Sequence, residues 1–120
     1  MSKGIRGILH GNKRMVIQDE HGQITEPYSI SSGLDYPGIG PAYPHLFHTK
    51  RVNFREATDE EALKAAYVCI RKEGIFPAME SAHALAALSS IETKKDDVLV
   101  VNLSGRGTKD LETYKTYLHE

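Results

Sequence analysis

The pattern of hydrophobic and polar positions predicts a strand, a tight turn and a helix near the end of the chain. Residues 98–103 begin as a continuous apolar run rich in β-branched residues, which is typical of a strand buried on both faces. The run ends at Ser104, and a Gly-X-Gly turn and a polar, helix-compatible segment over 108–118 follow. This order places Ser104 at the carboxyl end of a buried strand, where open α/β sheets bind ligands.

Two interpretations of this turn stay open on the pattern alone. Its glycines let backbone amides approach a ligand closely, and the helix N-terminus beyond them favours anions. The Ser104 hydroxyl can donate or accept a hydrogen bond without carrying charge. A tight strand-to-helix connection without any ligand explains the same pattern equally well.

Two helices are predicted upstream of this run. Thr58 and Glu61 form a capping box, apolar residues then recur at helical spacing, and Gly74 ends the first helix. Pro77 suits the first turn of the second helix, whose apolar face is rich in alanine. Glu80 lies in that first turn, where the helix dipole favours a carboxylate.

The order of these elements predicts the fold class. An alternating segment over 51–57 predicts a strand before the two helices, so the second half has the order βααβα. That order favours an α/β fold with a mostly parallel sheet.

The first part of the chain is less regular. Residues 1–12 are Gly-rich and without periodicity, which predicts a loop, whereas 14–18 predicts a short strand. A turn is predicted over 19–22, and 23–26 can return as a hairpin partner. Residues 28–44 hold glycines, prolines and spaced apolar anchors, a pattern more typical of a binding loop than of a flexible linker.

Composition narrows the class of partner. The chain has 120 residues, 15 basic and 16 acidic, and we treat 1–120 as a single segment of one domain. A net charge of −1 gives no reason to expect a nucleic-acid or membrane partner. The single cysteine, Cys69, and the lack of a signal-peptide pattern favour a cytoplasmic location.

Three polar residues stand out against apolar surroundings: Asp35 in the long loop, Glu80 and Ser104. No metal-ligand spacing, Gly-x-Ser-x-Gly elbow or Walker loop is present. Each of the three also has a purely structural explanation, as a turn cap, a partner of the helix dipole or a local backbone ligand. The residues alone therefore predict an α/β domain with a candidate small-anion site.

Four motifs together resemble the tryptophan synthase β chain family, in that family's order and at about its spacing. The resemblance extends over nearly the whole chain from about Gly7. The motifs are GLDYPGIGP at 33–41, ATDEEAL at 57–63, EGIFPAMESAHAL at 73–85 and NLSGRG at 102–107.

The resemblance implies a partial domain of a fold-type II pyridoxal-phosphate enzyme, a lyase of aromatic amino-acid biosynthesis that joins indole to L-serine. It implies that Ser104 faces the pyridine nitrogen of the cofactor, where a neutral hydroxyl leaves that nitrogen unprotonated. Gly105, Arg106 and Gly107 then form the turn on the cofactor side.

Roles for residues elsewhere in the chain follow from the same resemblance. Glu80 is expected beside the cofactor ring, and Asp35 in the loop that handles the serine hydroxyl. Tyr36 and Gly38 match positions whose backbone carbonyls help to bind a monovalent cation. The implied partners are the N-terminal part of a β chain, a tryptophan synthase α chain and further copies in a homo-oligomer.

Some features depart from the family pattern. Thr108 stands where the family usually has Asp, residues 42–46 lack the expected His-bearing pattern, and 89–95 are shortened. The family's Schiff-base lysine and phosphate-binding loop have no counterpart here. We therefore expect the chain to resemble the last third of a β chain and to be inactive alone. The alternative is a non-catalytic remnant or a small anion- or cofactor-binding α/β module.

Overall fold

A computed structural model describes residues 3–117 and divides the chain into two compact units, Met1–Arg55 and Glu56–Glu120. Residues 1 and 2 of the predicted N-terminal loop, and residue 118 of the predicted last helix, lie outside the described residues.

The first unit contains a three-stranded antiparallel sheet and one short helix. The hairpin turns at His10 and Gly11, both with positive φ (51° and 74°), so the loop predicted over 1–12 is instead largely a strand and its turn. The predicted strand at 14–18 overlaps the second strand. The elements are β1 (Ile5–Leu9), β2 (Asn12–Val16), β3 (Gly38–Ile39) and α1 (Ala42–His48), in the sheet order β1-β2-β3.

The predicted turn after β2 is confirmed. The Asp19 carboxylate accepts hydrogen bonds from the backbone N–H groups of His21 (2.9 Å) and Gln23 (2.8 Å). A single bridge between Gln18 and Ile24 closes the predicted return. The chain then runs through the long loop, which contains a 3-10 turn at Ser32–Leu34 as well as β3.

The second unit is helical among its described residues. Thr58 caps α2 as predicted: its hydroxyl accepts from the Glu61 N–H, and the Glu61 carboxylate accepts from the Thr58 N–H. Gly74 ends α2 in the left-handed conformation, with φ 67°. The elements are α2 (Asp59–Glu73), α3 (Met79–Ala87) and α4 (Leu111–Tyr117), with 3-10 turns at Leu88–Ser90 and Gly107–Asp110.

Small residues let α2 and α3 pack closely. Ala62 and Ala66 on α2 and Ala82 on α3 are all fully buried, as is Met79 at the start of α3. Alanine leaves little side-chain volume between two backbones, so this helix pair forms a tight core.

The strands predicted over 51–57 and 98–103 are not formed. Residues 91–100 are all exposed, including Val98 (87% exposed) and Val100 (92%). A strand buried on both faces needs neighbouring strands to bind its N–H and C=O groups, and none of the described strands pairs with these segments. The structure is mixed α/β, as expected, but its sheet within residues 3–117 is antiparallel rather than parallel.

Within residues 3–117, no helix has both the length and the apolar character needed to cross a bilayer.

Candidate functional site

The first turn of α3 is held by a carboxylate from far along the chain. Ala78, the residue at the N-cap position of α3, offers no side-chain cap. Instead, Asp110 Oδ2 accepts a hydrogen bond from the Met79 N–H at 2.9 Å. Asp110 is 8% exposed, so this charge-assisted bond lies in a buried position. The 3-10 turn that contains Asp110 is thereby fastened to the start of α3.

Lys109 joins this anchor to Glu80. Its Nζ lies 2.8 Å from Glu80 Oε2 and 2.7 Å from Asp110 Oδ1. Burial alone would lower the pKa of Lys109, but hydrogen bonds to Asp110 and Glu80 raise it above its ordinary value. The ammonium is therefore held in its charged form between two carboxylates.

The hydroxyl groups of Ser81 and Ser104 meet beside this network. Ser81 Oγ donates a 2.6 Å hydrogen bond to the Ser104 backbone carbonyl, and the two Oγ atoms are 3.3 Å apart. Ser81 has only one hydroxyl proton, so Ser104 is the donor in the contact between the two hydroxyl groups. Ser104 is exposed, whereas Ser81 is buried.

The turn over 105–107 needs glycine at its last position. The Gly107 N–H donates to the Phe76 carbonyl at 2.9 Å, and a Cβ on Gly107 would lie 2.6 Å from the Pro77 carbonyl oxygen. Gly105 has φ +73°, a conformation that L side chains rarely adopt. Arg106, exposed and extended, separates the two glycines.

Tyr114 completes the contact between α4 and the start of α3. Its hydroxyl donates to the Pro77 carbonyl at 2.9 Å, and its ring centroid lies 4.7 Å from that of Phe76. Burial raises the pKa of Tyr114 to about 12, with the nearby Asp110 charge adding to the effect.

His83 bridges α3 to the start of α2. Its Nδ1 lies 2.8 Å from the Met79 carbonyl oxygen and its Nε2 lies 3.1 Å from Asp59 Oδ1. The sequence favours a packed or surface role for this histidine over a metal ligand, and within residues 3–117 no cluster of His, Cys, Asp and Glu could hold a metal ion.

The remaining candidates lie in the first unit. Asp35 is exposed and follows the 3-10 turn, with its N–H bonded to the Ser32 carbonyl at 3.4 Å. Tyr36 stacks on His10, with ring centroids 6.3 Å apart. Gly38 lies in β3 opposite Val16, where a Cβ would come within 2.9 Å of Leu9.

The structure thus brings Glu80 and Ser104, two of the predicted site residues, into one region with residues that the sequence did not single out. The contacts that join these residues to Ser104, Glu80 and Met79 run from Ser81, Lys109 and Asp110 across 23, 29 and 31 positions, so no local pattern reveals them. The signal in the sequence is a Lys-Asp pair two residues after Gly107, whose lysine is a candidate partner for the acidic residue on the preceding helix.

The site joins a glycine turn, a neutral hydroxyl and an ion-paired carboxylate within the helical unit of a mixed α/β segment. No protein-family model matches the chain. The chain is 58% identical over 111 residues to the tryptophan synthase beta chain of Bacteroides fragilis. It is 52% identical over 120 residues to that of Anoxybacillus flavithermus, and 53% identical over 119 residues to that of Streptomyces coelicolor.

These alignments include 92–98% of this chain but only 28–30% of each relative. The matched part is the C-terminal segment of the relatives. The chain is therefore a homologue of the C-terminal segment of tryptophan synthase beta chains.

Proposed function

We propose that this chain forms the C-terminal part of a pyridoxal-phosphate-dependent lyase that joins indole and L-serine to give L-tryptophan. The observation that carries the proposal is the 52–58% identity to tryptophan synthase beta chains along almost its whole length. We also propose the cytoplasm as its location, and a β-chain N-terminal part, a tryptophan synthase α chain and further copies of the β chain as its partners.

The residues around Ser104 fit the pyridine nitrogen of the cofactor. The Ser104 hydroxyl is exposed, and its proton can rotate from the long 3.3 Å contact with Ser81 Oγ towards a ring nitrogen. A neutral donor of this kind can hydrogen-bond an unprotonated ring nitrogen, whereas an aspartate would favour the protonated ring. When bound, the cofactor supplies a delocalised electron acceptor for chemistry at the substrate.

The neighbouring residues then have defined tasks. Gly105, Arg106 and Gly107 line the cofactor side of the site, and the absence of a Cβ at Gly107 lets this turn pack against residues 76–77. Glu80 presents an anionic carboxylate near the reacting face.

Two roles are assigned to the first unit. Asp35, exposed after its 3-10 turn, handles the substrate hydroxyl as it leaves, a general acid–base role. The backbone carbonyls of Tyr36 and Gly38 contribute to a monovalent cation site.

The exposure of residues 91–100 favours the proposed β-chain segment over the alternative of a small binding module that functions alone. Val98 and Val100 in this segment are almost completely exposed to water. Exposed neighbouring apolar side chains are unfavourable on the surface of a domain that functions alone. The chain spans less than a third of its relatives, so these residues have a natural partner in the remaining part of a β chain. We accordingly expect this chain alone neither to hold pyridoxal phosphate on a single lysine nor to form tryptophan.

The test uses a grafted β chain, in which this sequence replaces the homologous segment of the Bacteroides fragilis relative. Ser104→Ala should lower tryptophan formation, and Ser104→Asp should divert turnover towards transamination, because a carboxylate favours the protonated ring nitrogen. The measurement is the ratio of tryptophan to pyruvate and transamination products by chromatography.

Ser90→Ala is the matched control, because Ser90 is exposed and its hydroxyl bonds only locally to the Ala87 carbonyl. An unchanged product ratio in Ser104→Asp would refute the assignment of Ser104 to the ring nitrogen.

A further inference from the structure

Lys109 connects two carboxylates that belong to different elements. Glu80 lies in the first turn of α3, whereas Asp110 lies in the 3-10 turn before α4. The ammonium has three donors and approaches both carboxylates to within 2.8 Å. The three side chains therefore form one network rather than a single ion pair.

We infer that Lys109, held in place by Asp110, is a positioning residue that keeps the Glu80 carboxylate ionised and in one orientation. The inference rests on the proposed function, in which Glu80 acts near the reacting face. Neither Lys109 nor Asp110 is required to touch the substrate or the cofactor.

The anchoring of Asp110 makes the position of Lys109 well defined. Asp110 Oδ2 accepts both from the Met79 N–H at 2.9 Å and from Lys109 Nζ at 2.8 Å. Met79 is fully buried and directly precedes Glu80. The same carboxylate thus holds the backbone of the turn that carries Glu80 and the cation that binds its side chain.

Burial distinguishes this network from an ordinary surface ion pair. The side chains of Glu80 and Asp110 are 27% and 9% exposed, and that of Lys109 is 45% exposed. The Lys115–Glu112 pair has the same 2.8 Å separation, but its side chains are 60% and 85% exposed. Exposed pairs contribute little because water screens them, so Lys115 provides a matched control.

The first experiment measures the protonation of Glu80 in this chain. Glutamate is labelled with ¹³C at the carboxyl carbon, and Glu80→Gln identifies its NMR signal. Lys109→Met should raise the pH midpoint of Glu80 by about one unit, because it removes the adjacent positive charge. Lys109→Arg should restore most of this shift, and Lys115→Met should leave the midpoint unchanged.

The second experiment measures turnover in the grafted β chain. Lys109→Met should lower kcat at least about tenfold and move the acidic limb of its pH profile upward, while the KM for serine changes much less. Lys109→Arg should recover most of kcat, because it keeps a cation between the carboxylates.

The outcomes separate this inference from the proposed function. If Glu80→Gln abolishes turnover while Lys109→Met changes neither kcat nor the Glu80 midpoint, the positioning role is wrong. If Glu80→Gln leaves turnover unchanged, the proposed function of Glu80 is wrong. A shift in the midpoint that Lys109→Arg reverses, together with the loss of kcat, supports the inference.

Discussion

The α2–α3 helix pair and the segment 98–103 both contain apolar residues, but these residues lie in opposite environments. In the helix pair, Ala62 and Ala82 are fully buried, whereas Val98 and Val100 in the segment are almost fully exposed. A helix satisfies its backbone hydrogen bonds internally, so two adjacent helices need only each other. A strand cannot do so without a neighbour. The difference shows that apolar residues form a core only where their backbone has partners.

The most disruptive way to test the helical region is to add a methyl group at Gly107. In Gly107→Ala the new Cβ would lie 2.6 Å from the Pro77 oxygen and 2.7 Å from the Phe76 ring, so the turn must move away from α3. We expect the free energy of unfolding to fall by about 3 kcal/mol, measured by urea denaturation followed by circular dichroism.

Gly40→Ala is the control, because nothing lies within 4 Å of its Cβ position and its φ is not positive. An equal effect of the two substitutions would contradict the close packing of Gly107.

A smaller effect is expected from ionising Tyr114. Its pKa in the folded chain is about 12, above the ordinary value of 10.0. The unfolded chain ionises this tyrosine near pH 10, before the folded chain does. The unfolding free energy is therefore unaffected below pH 10 and falls as the pH rises to about 12. Over that interval the parent should lose about 2 kcal/mol more unfolding free energy than Tyr114→Phe does.

The measurement is a series of urea titrations from pH 9 to pH 12. Tyr117→Phe serves as the control, because the Tyr117 side chain is 48% exposed. Parallel curves for the parent and Tyr114→Phe would show that Tyr114 is not buried as described.

The smallest effect should come from the exposed segment itself. The double change Val98→Thr and Val100→Thr should alter the unfolding free energy of the chain by less than about 0.5 kcal/mol, because water already surrounds both side chains. Val16→Thr should cost about 1–2 kcal/mol, since Val16 is only 1% exposed.

The same double change should have a larger effect in the grafted β chain than in the isolated chain. There we expect a clear loss of thermal stability, because the proposed partner would bury both valines. A large effect in the isolated chain, or none in the grafted chain, would contradict this account.

Local signals in the sequence are sufficient to predict where α2 begins and ends. The Thr58–Glu61 capping box and the Gly74 end are both short-range features, and both are observed. The hairpin at His10 and Gly11 is not predicted, because a glycine-rich stretch without periodicity is as typical of a loop as of a turn between strands.

The strand predicted over 98–103 shows a different limit. Its apolar pattern is real, but a strand also needs a neighbour to pair with, and none of the described strands lies beside it. The same applies to the candidate site. The glycine turn that follows Ser104 makes this residue a candidate from the sequence alone. Its contact with Ser81, 23 positions away, depends on the tertiary structure.

The cap that Asp110 provides to α3 has a consequence for how the second unit assembles. The Thr58 cap is three residues from its partner, so α2 can begin to form from local interactions. The corresponding bond in α3 closes a loop of 31 residues, with a conformational entropy cost of about 3 kcal/mol. The start of α3 should therefore become ordered only after residues 107–110 have docked. Hydrogen exchange pulsed during refolding would then show protection of the Met79 amide later than that of the α2 amides.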